Sequence, residues 1–398
     1  MSVARWHGVL AGAGLVGLAA AAALSAPAAG AAGLRGAPAA ATLACRKAQG
    51  PFHVRGTRVI GKGGKAFIPY GITVPGLFHP RGYDAQRRRR DDMKIKAAAD
   101  SWCANTVRLQ ISQNELVGPG ALKGFLGHIE HEVQTAESLR LVVVLNDQTE
   151  TDPGNSPGPT QATLTFWRKL ATRYHGDPQV IFDLFNEPRI KTGKVCGSTA
   201  DWRAWQRGTG SFVGMRGLVK DVLADEGARP QNLLWVEGPC FASTLARVTS
   251  FPVVSSPLAV YVFHHPTGGH NARQWDSDFG YLVNRDIAPV ADGEWTNYTP
   301  PQLNMPKSEC WQDAPTAVPA YLSYLGRHGI GMTGYELAKG LLIESDNLAD
   351  PTKIRADWTC SASPDKINNP LNEGAGTLIM NWYKRRNAAY PRRRATRG

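Results

Sequence analysis

No two of the six cysteines stand in the close Cys-x-x-Cys spacing of a zinc site, so thiolate metal binding has no support in the chain. The chain also lacks solenoid-type repeats, and beyond its first segment it has no run long and apolar enough to cross a membrane. Acidic residues are in deficit, 33 against 45 Lys and Arg, giving a formal net charge of +12. The densest basic runs, Arg87-Arg88-Arg89-Arg90 and Arg392-Arg393-Arg394, lack the interleaved aromatics of a nucleic-acid module. They read as a solvated face that favours anionic surfaces, and no nucleic-acid partner is expected.

What is present suffices for a large folded domain: 398 residues, 42% hydrophobic and 20% charged. Arg5 in a short polar lead, an apolar Gly/Ala-rich run over 9–24, and then Ala26-Pro27-Ala28 and Ala29-Gly30-Ala31 read as a secretory signal over 1–31 that is cleaved on export. The run falls short of the roughly 20 strongly apolar residues of a spanning helix, so no membrane association is expected after cleavage. A small-residue linker follows over 32–44, then the main domain over 45–385 and a basic tail over 386–398. Loss of Arg5 takes the charge from +12 to +11, so the mature chain stays basic. All six cysteines lie after the leader, and an even count in an exported chain points to disulfides. The expected location is extracellular.

Two segments, 53–60 and 65–68, flank Gly61-Lys62-Gly63-Gly64 and predict a β-hairpin. Strand-like segments then recur at 68–74, 105–111, 141–145, 180–185, 233–236, 259–263, 289–291 and 331–335, with room for a helix in each interval. Leu164, Trp167, Leu170, Ala171 and Tyr174 repeat at helical spacing, as do Trp202, Trp205, Phe212, Val219 and Val222 across 201–223, and both stripes are assigned to the core. Eight strands alternating with helices predict an α/β fold, a (β/α)8 TIM barrel whose bottom the hairpin plugs.

Val180-Ile181-Phe182-Asp183-Leu184-Phe185 suits a buried parallel strand, and it stops at Asn186-Glu187-Pro188. A carboxylic acid at the carboxyl end of such a strand is where a barrel places a proton donor. About a hundred residues on, Ala291-Asp292-Gly293-Glu294-Trp295 supplies a second strand-terminal glutamate. With both motifs present, the chain resembles glycoside hydrolase family 5, the cellulase-like retaining glycosidases, over about residues 52 to 385. The resemblance implies hydrolysis of a β-glycosidic bond of a polysaccharide or oligosaccharide, with Glu187 as acid/base and Glu294 as nucleophile. It also implies substrate-binding roles for Arg108, in Asn105-Thr106-Val107-Arg108-Leu109, for Asn186 beside the anomeric carbon, and for His264, in Tyr261-Val262-Phe263-His264-His265-Pro266.

Neighbours on a strand point to opposite faces, so His264 and His265 do not share a metal, and neither metal nor cofactor is expected. Trp295, Tyr335 and Trp311 are the candidate aromatic platforms for sugar rings. The chain departs from the family at three places: Pro266 where a sixth-strand tyrosine is usual, Asn146-Asp147-Gln148 without a histidine after the third strand, and Tyr335 where tryptophan is commoner. Glu237 and Glu336 are alternative carboxylates. Neighbouring top-face loops lead to disulfides Cys196 with Cys240 and Cys310 with Cys360, leaving Cys45 with Cys103. A β-1,4-glucan is the first expectation for substrate, a β-mannan or another β-glycoside the second, and a non-catalytic carbohydrate-binding barrel the rival from another class. The protein is expected to act as a monomer.

Overall fold

The computed structural model describes residues 44–78, 83–149, 156–190, 196–227, 231–253, 257–264, 271–295, 314–339, 341–352 and 376–388. Three short antiparallel strands open it: β1 (His53–Arg55), β2 (Arg58–Ile60) and β3 (Ala66–Phe67). The segment expected as one strand over 53–60 is broken at Gly56, whose φ of +60° turns the chain back so that Arg55 pairs with Arg58. The expected hairpin is therefore a three-stranded sheet.

Eight parallel strands then close a barrel: β4 (Tyr70–Val74), β5 (Thr106–Ser112), β6 (Val142–Gln148), β7 (Val180–Asp183), β8 (Leu233–Glu237), β9 (Ala259–Phe263), β10 (Val290–Trp295) and β11 (Gly331–Gly334), with β11 pairing back onto β4. All eight expected segments take part. β6 runs three residues past the apolar stretch, through Asn146-Asp147-Gln148, because each of these still pairs with β5.

Strand alternation sorts the core into two layers. Inward apolar residues, among them Val142, Ile181, Trp235 and Val262, belong to one cluster with Phe52, Val59 and Phe67, Val59 and Phe67 being on the small sheet, which plugs the bottom of the barrel. Outward residues such as Val107, Leu145, Phe182 and Phe263 meet the helices, whose main members are α1 (Ala85–Asp100), α2 (Gln113–Val117), α3 (Phe125–Ser138), α4 (Gln161–Tyr174), α5 (Thr199–Arg207), α6 (Met215–Asp225), α7 (Ala272–Trp275), α8 (Tyr281–Asn284), α9 (Ala314–His328) and α10 (Gly376–Asn387). Trp167, Leu170, Trp202, Trp205 and Val222 are buried, as their spacing predicts. The second stripe is two helices and not one, since Gly208 takes φ +85° and a Cβ there would come within 2.4 Å of the Phe212 carbonyl oxygen.

Disulfides join Cys45 to Cys103 and Cys196 to Cys240, as expected; Cys310 and Cys360 lie outside the described residues. So do the expected signal 1–31, nearly all of the linker, and the tail beyond residue 388.

Candidate active site

In the upper half of the barrel the inward positions turn polar. Arg108 is the centre of that layer. Two residues up β5 from the apolar floor, it has no exposed surface. Its Nε donates to Asp183 Oδ2 (2.8 Å), one terminal nitrogen donates to Glu294 Oε2 (2.8 Å), and the other to Asn186 Oδ1 (2.6 Å) and Glu237 Oε1 (3.0 Å). Four acceptors on one planar fork fix the ends of β7, β8 and β10 relative to β5.

Beyond Asp183 the chain leaves the sheet. Asn186 N–H donates to the Asp147 carbonyl oxygen (2.9 Å), and Glu187 takes a left-handed φ of +48°. That conformation costs roughly 1–2 kcal/mol for a residue with a Cβ. Glu237, at the end of β8, holds it there by accepting the Glu187 N–H at Oε2 (2.6 Å). The Glu187 carboxylate lies 3.0 Å from His264 Nδ1, while His264 Nε2 is 3.3 Å from Glu237 Oε1. Next to β8, Cys240, Phe241 and Ala242 are three consecutive left-handed residues (φ 61°, 61° and 52°). The Cys196 disulfide, a Phe241 N–H bond to the Pro188 carbonyl oxygen (3.1 Å) and a His264 N–H bond to the Ala242 carbonyl oxygen (2.8 Å) hold this turn against the Glu187 loop.

Glu294 reaches the same cluster through a local irregularity. The pairing of β10 with β11 shifts between Asp292 and Trp295, a β-bulge. Ala291 packs in the inner layer, and Gly293 shares its side, where a Cβ would meet His264 Nε2 at 2.8 Å and Val262 Cγ1 at 2.6 Å. The bulge turns Glu294 inward as well, re-aiming the chain after the glycine. Glu294 Oε2 then accepts from Gln110 Nε2 (2.8 Å) in addition to Arg108, and Gln110 also donates to Gln148 Oε1 (3.1 Å).

The same bulge corrects the role expected of Trp295. Its ring is only 2% exposed, stacked on Tyr321 of α9 at 5.5 Å between centroids, so it packs behind Glu294 and is no platform for sugar. Tyr335 stands half-buried just past β11, its N–H on the Trp295 carbonyl oxygen (2.8 Å). Glu336 is turned away from the Arg108 cluster into an ion pair with Lys94 (2.5 Å). His265, Pro266 and Trp311 lie outside the described residues.

Of the acids in the cluster only two are reachable: Glu294 is 16% and Glu187 21% exposed, whereas Asp183 and Glu237 are fully covered. Burial pushes the Glu294 carboxyl up to about 7 against the pull of Arg108 and His264. It does the same to Asp183, also to about 7, with Glu237 adding to the rise and Arg108 opposing it. Burial works against the Glu237 anion too, but His264, Arg108 and the Glu187 N–H outweigh it and hold Glu237 below the usual carboxylate range. Burial likewise disfavours the His264 cation, yet Glu237 and Glu187 together keep it protonated well above the range of a free histidine. The two reachable carboxylates thus have unlike surroundings, one on an arginine and an amide, one on a histidine, which suits them to different parts in acid–base or nucleophilic chemistry.

Arg108, Asn186, Glu187, His264 and Glu294 are therefore brought together. Gln110, Asp183 and Phe241 were not among the residues singled out from sequence. Gln110 had a readable signal, lying two positions from Arg108 on the same strand face. Phe241, 49% exposed beside the Glu187 loop with the Arg189 guanidinium 6.0 Å from its ring, had none.

The family model described as cellulase (glycosyl hydrolase family 5) matches residues 73–340. An endoglucanase of Paenibacillus polymyxa is 25% identical over 345 residues, covering 75% of this chain and 82% of that protein. Among solved structures, a β-glucanase from Saccharophagus degradans in complex with cellotetraose superimposes with a TM-score of 0.61 at 20% identity, over 79% of this chain and 94% of the other. A Thermomonospora fusca β-mannanase in complex with mannotriose does so with a TM-score of 0.52 at 18% identity, over 73% and 85%. At these identities the structural likenesses speak for the fold.

Proposed function

The chain belongs to glycosyl hydrolase family 5 and is a glycoside hydrolase, and on that premise we propose that it is a secreted, retaining endoglucanase acting on a β-1,4-glucan. Glu294 is the nucleophile and Glu187 the acid/base. The observation that carries this reading is the pair of reachable carboxylates on one buried network, Glu294 aligned by two donors and Glu187 set beside His264 by Glu237.

In the first step Glu187 protonates the departing glycosidic oxygen while Glu294 attacks the anomeric carbon; in the second Glu187 takes a proton from the water that releases the sugar. Asn186 keeps its amide nitrogen without a partner among the described residues, although it is buried, and donates it to the hydroxyl next to the anomeric carbon, a contact that tightens as positive charge grows on the ring. Gln110 supplies the neutral donor to the nucleophile that the resemblance would assign to a sixth-strand tyrosine. Tyr335 offers a ring to a bound sugar. Two disulfides and a leader-like 1–31 segment support export, and no helix among the described residues is long and apolar enough to span a membrane.

Purified protein offered β-1,4-glucan, mixed-linkage β-glucan, mannan and xylan is expected to release new reducing ends fastest from the β-1,4-glucan. Faster release from mannan would shift the sugar, and release from none would overturn the reading.

A second expectation concerns pH. Glu294 must be ionised to attack, and its carboxyl is raised to about 7 in the free protein, so kcat/KM falls as pH drops through about 7 and not through the usual carboxylate range. Gln110→Met removes one donor to the anion and should move that limb upward by as much as about one pH unit. An acid limb near 4.5 in both proteins would show that Glu294 does not set it.

A further inference from the structure

A second cavity, of about 760 Å³, opens at the carboxyl ends of β4 and β11 and takes in three arginines of the run at the start of α1. Its wall carries Arg87, Arg89, Arg90, Lys94 and Lys339. Three carboxylates also line it, Asp91, Glu336 and Asp346, so the lining has a net charge of +2. Of these, Glu336 is already engaged by Lys94, and Asp91 is 2% exposed, next to Glu132. Arg89, Arg90 and Lys339 form no ion pair among the described residues, and both arginines are exposed. Unpaired guanidinium groups gathered round a concavity, and not spread over a convex face, concentrate positive potential where a ligand sits.

Its position ties the cavity to the cleft. β11 lies between β10, which carries Glu294 near its carboxyl end, and β4, so the cavity is on the same barrel face as the nucleophile. β7, which leads into Glu187, is four strands from β11 either way round the closed barrel, so the cavity lies across the mouth from the acid/base. Tyr335 stands between the two, bonded to the Trp295 carbonyl oxygen and followed directly by Glu336 on the cavity wall. A glycan chain crossing from Glu187 past Glu294 and over Tyr335 meets the arginines next. Met93, 57% exposed on the same wall, adds an apolar patch beside the cations, which fits a sugar ring bearing a charge better than it fits a bare ion.

We propose that this cavity is a subsite for an acidic sugar unit, so that the enzyme prefers β-glucans bearing anionic substituents, carboxylate or sulfate, to the neutral polymer. The inference rests on the proposed β-glucan cleft and extends it.

The test uses two soluble polymers with one β-1,4-glucan backbone, carboxymethylated and hydroxyethylated, and measures both kcat/KM and retardation in affinity electrophoresis. The double variant Arg89→Gln/Arg90→Gln is compared with Arg55→Gln/Arg58→Gln, which removes the same charge from exposed positions on the small sheet at the barrel bottom. The ratio of carboxymethyl to hydroxyethyl kcat/KM is expected to fall about tenfold in the cavity variant and much less in the control, with retardation by the anionic polymer falling in parallel. Free glucuronate, but not glucose, should inhibit the parent on the anionic polymer and lose that effect in the cavity variant. An equal fall in both variants would mean a whole-molecule charge effect, and an unchanged ratio in the cavity variant would mean no subsite; either overturns the proposal. Selective retardation by the anionic polymer without hydrolysis of either one would instead overturn the endoglucanase reading and leave the anionic subsite standing.

Discussion

Glu294→Ala should lower turnover by more than about 10⁴-fold on every substrate, because no glycosyl-enzyme can form without the attacking carboxylate. Glu187→Ala should behave differently. On polymeric glucan, whose leaving group needs a proton, a loss of about 10²–10⁴-fold is expected, the usual contribution of a general acid. On aryl glycosides with good leaving groups the first step should survive, leaving a slow second step and a burst of released phenol. The split follows from the site: Glu294 Oε2 is pinned by Arg108 and Gln110, while Glu187 has His264 beside it and no bond from the arginine among those described. A fluorosugar that traps the glycosyl-enzyme, followed by peptide mass spectrometry, identifies the attacking residue directly. Label on Glu336 would reassign the nucleophile, although its pairing with Lys94 argues against that. An inverted product anomer, read by NMR early in the reaction, would discard the retaining scheme altogether.

The largest effect on stability is expected from Arg108→Met. The side chain is fully buried and answers four acceptors, three of them carboxylates. Replacing it with an uncharged chain of similar length leaves Asp183 and Glu237 buried with no cation on them but His264, and removing one partner of a buried ionic network costs about 3–5 kcal/mol. The deficit should depend on pH. With the arginine present, Asp183 already titrates at about 7, raised by burial. Without it, Asp183 rises further, and a carboxyl whose folded pKa is raised contributes stability below its unfolded pKa that is lost as pH climbs through the folded value. Urea unfolding should therefore show a much larger gap between variant and parent at pH 8 than at pH 5. Arg108→Lys restores the charge but not the planar fork, and should recover part of the stability while leaving Asn186 and Glu294 poorly aligned and activity low. A midpoint for Arg108→Met equal to the parent at pH 8 would mean that the network is not what holds the strand ends together.

The barrel was legible in the chain because its strands are short apolar segments at regular intervals, and in a closed parallel sheet both strand faces are buried. Each segment could be placed without knowing its neighbours, and so could the two glutamates, Glu187 in the loop that follows β7 and Glu294 near the end of β10. Strand ends were less legible. β6 continues through Asn146-Asp147-Gln148 because the barrel interior turns polar near its mouth, so the loss of hydrophobicity there marks a change of layer and not the end of pairing. The turn at Gly56 and the break at Gly208 were hidden as well, since a glycine shows its positive φ only once the chain is folded.

What the sequence determined by itself was local: eight strands, the acids at their ends, and an arginine two residues from a glutamine on one strand face. Only the tertiary structure decided which of these meet. Glu237 sits on its own strand, yet its value lies in holding Glu187 in a left-handed conformation 50 residues away, a contact with no local trace. Trp295 and Glu294, as strand neighbours, face opposite ways, but a one-residue bulge decides which way, turning the acid to the cleft and the ring to α9. The run from Arg87 to Arg90 looks like any solvated helix face until α1 packs beside the ends of β4 and β11 and three of its arginines close round a cavity. In each case the deciding quantity is an orientation across strands or between layers. Such an orientation depends on ring closure, register and bulges, which are properties of the assembled sheet and not of any one segment.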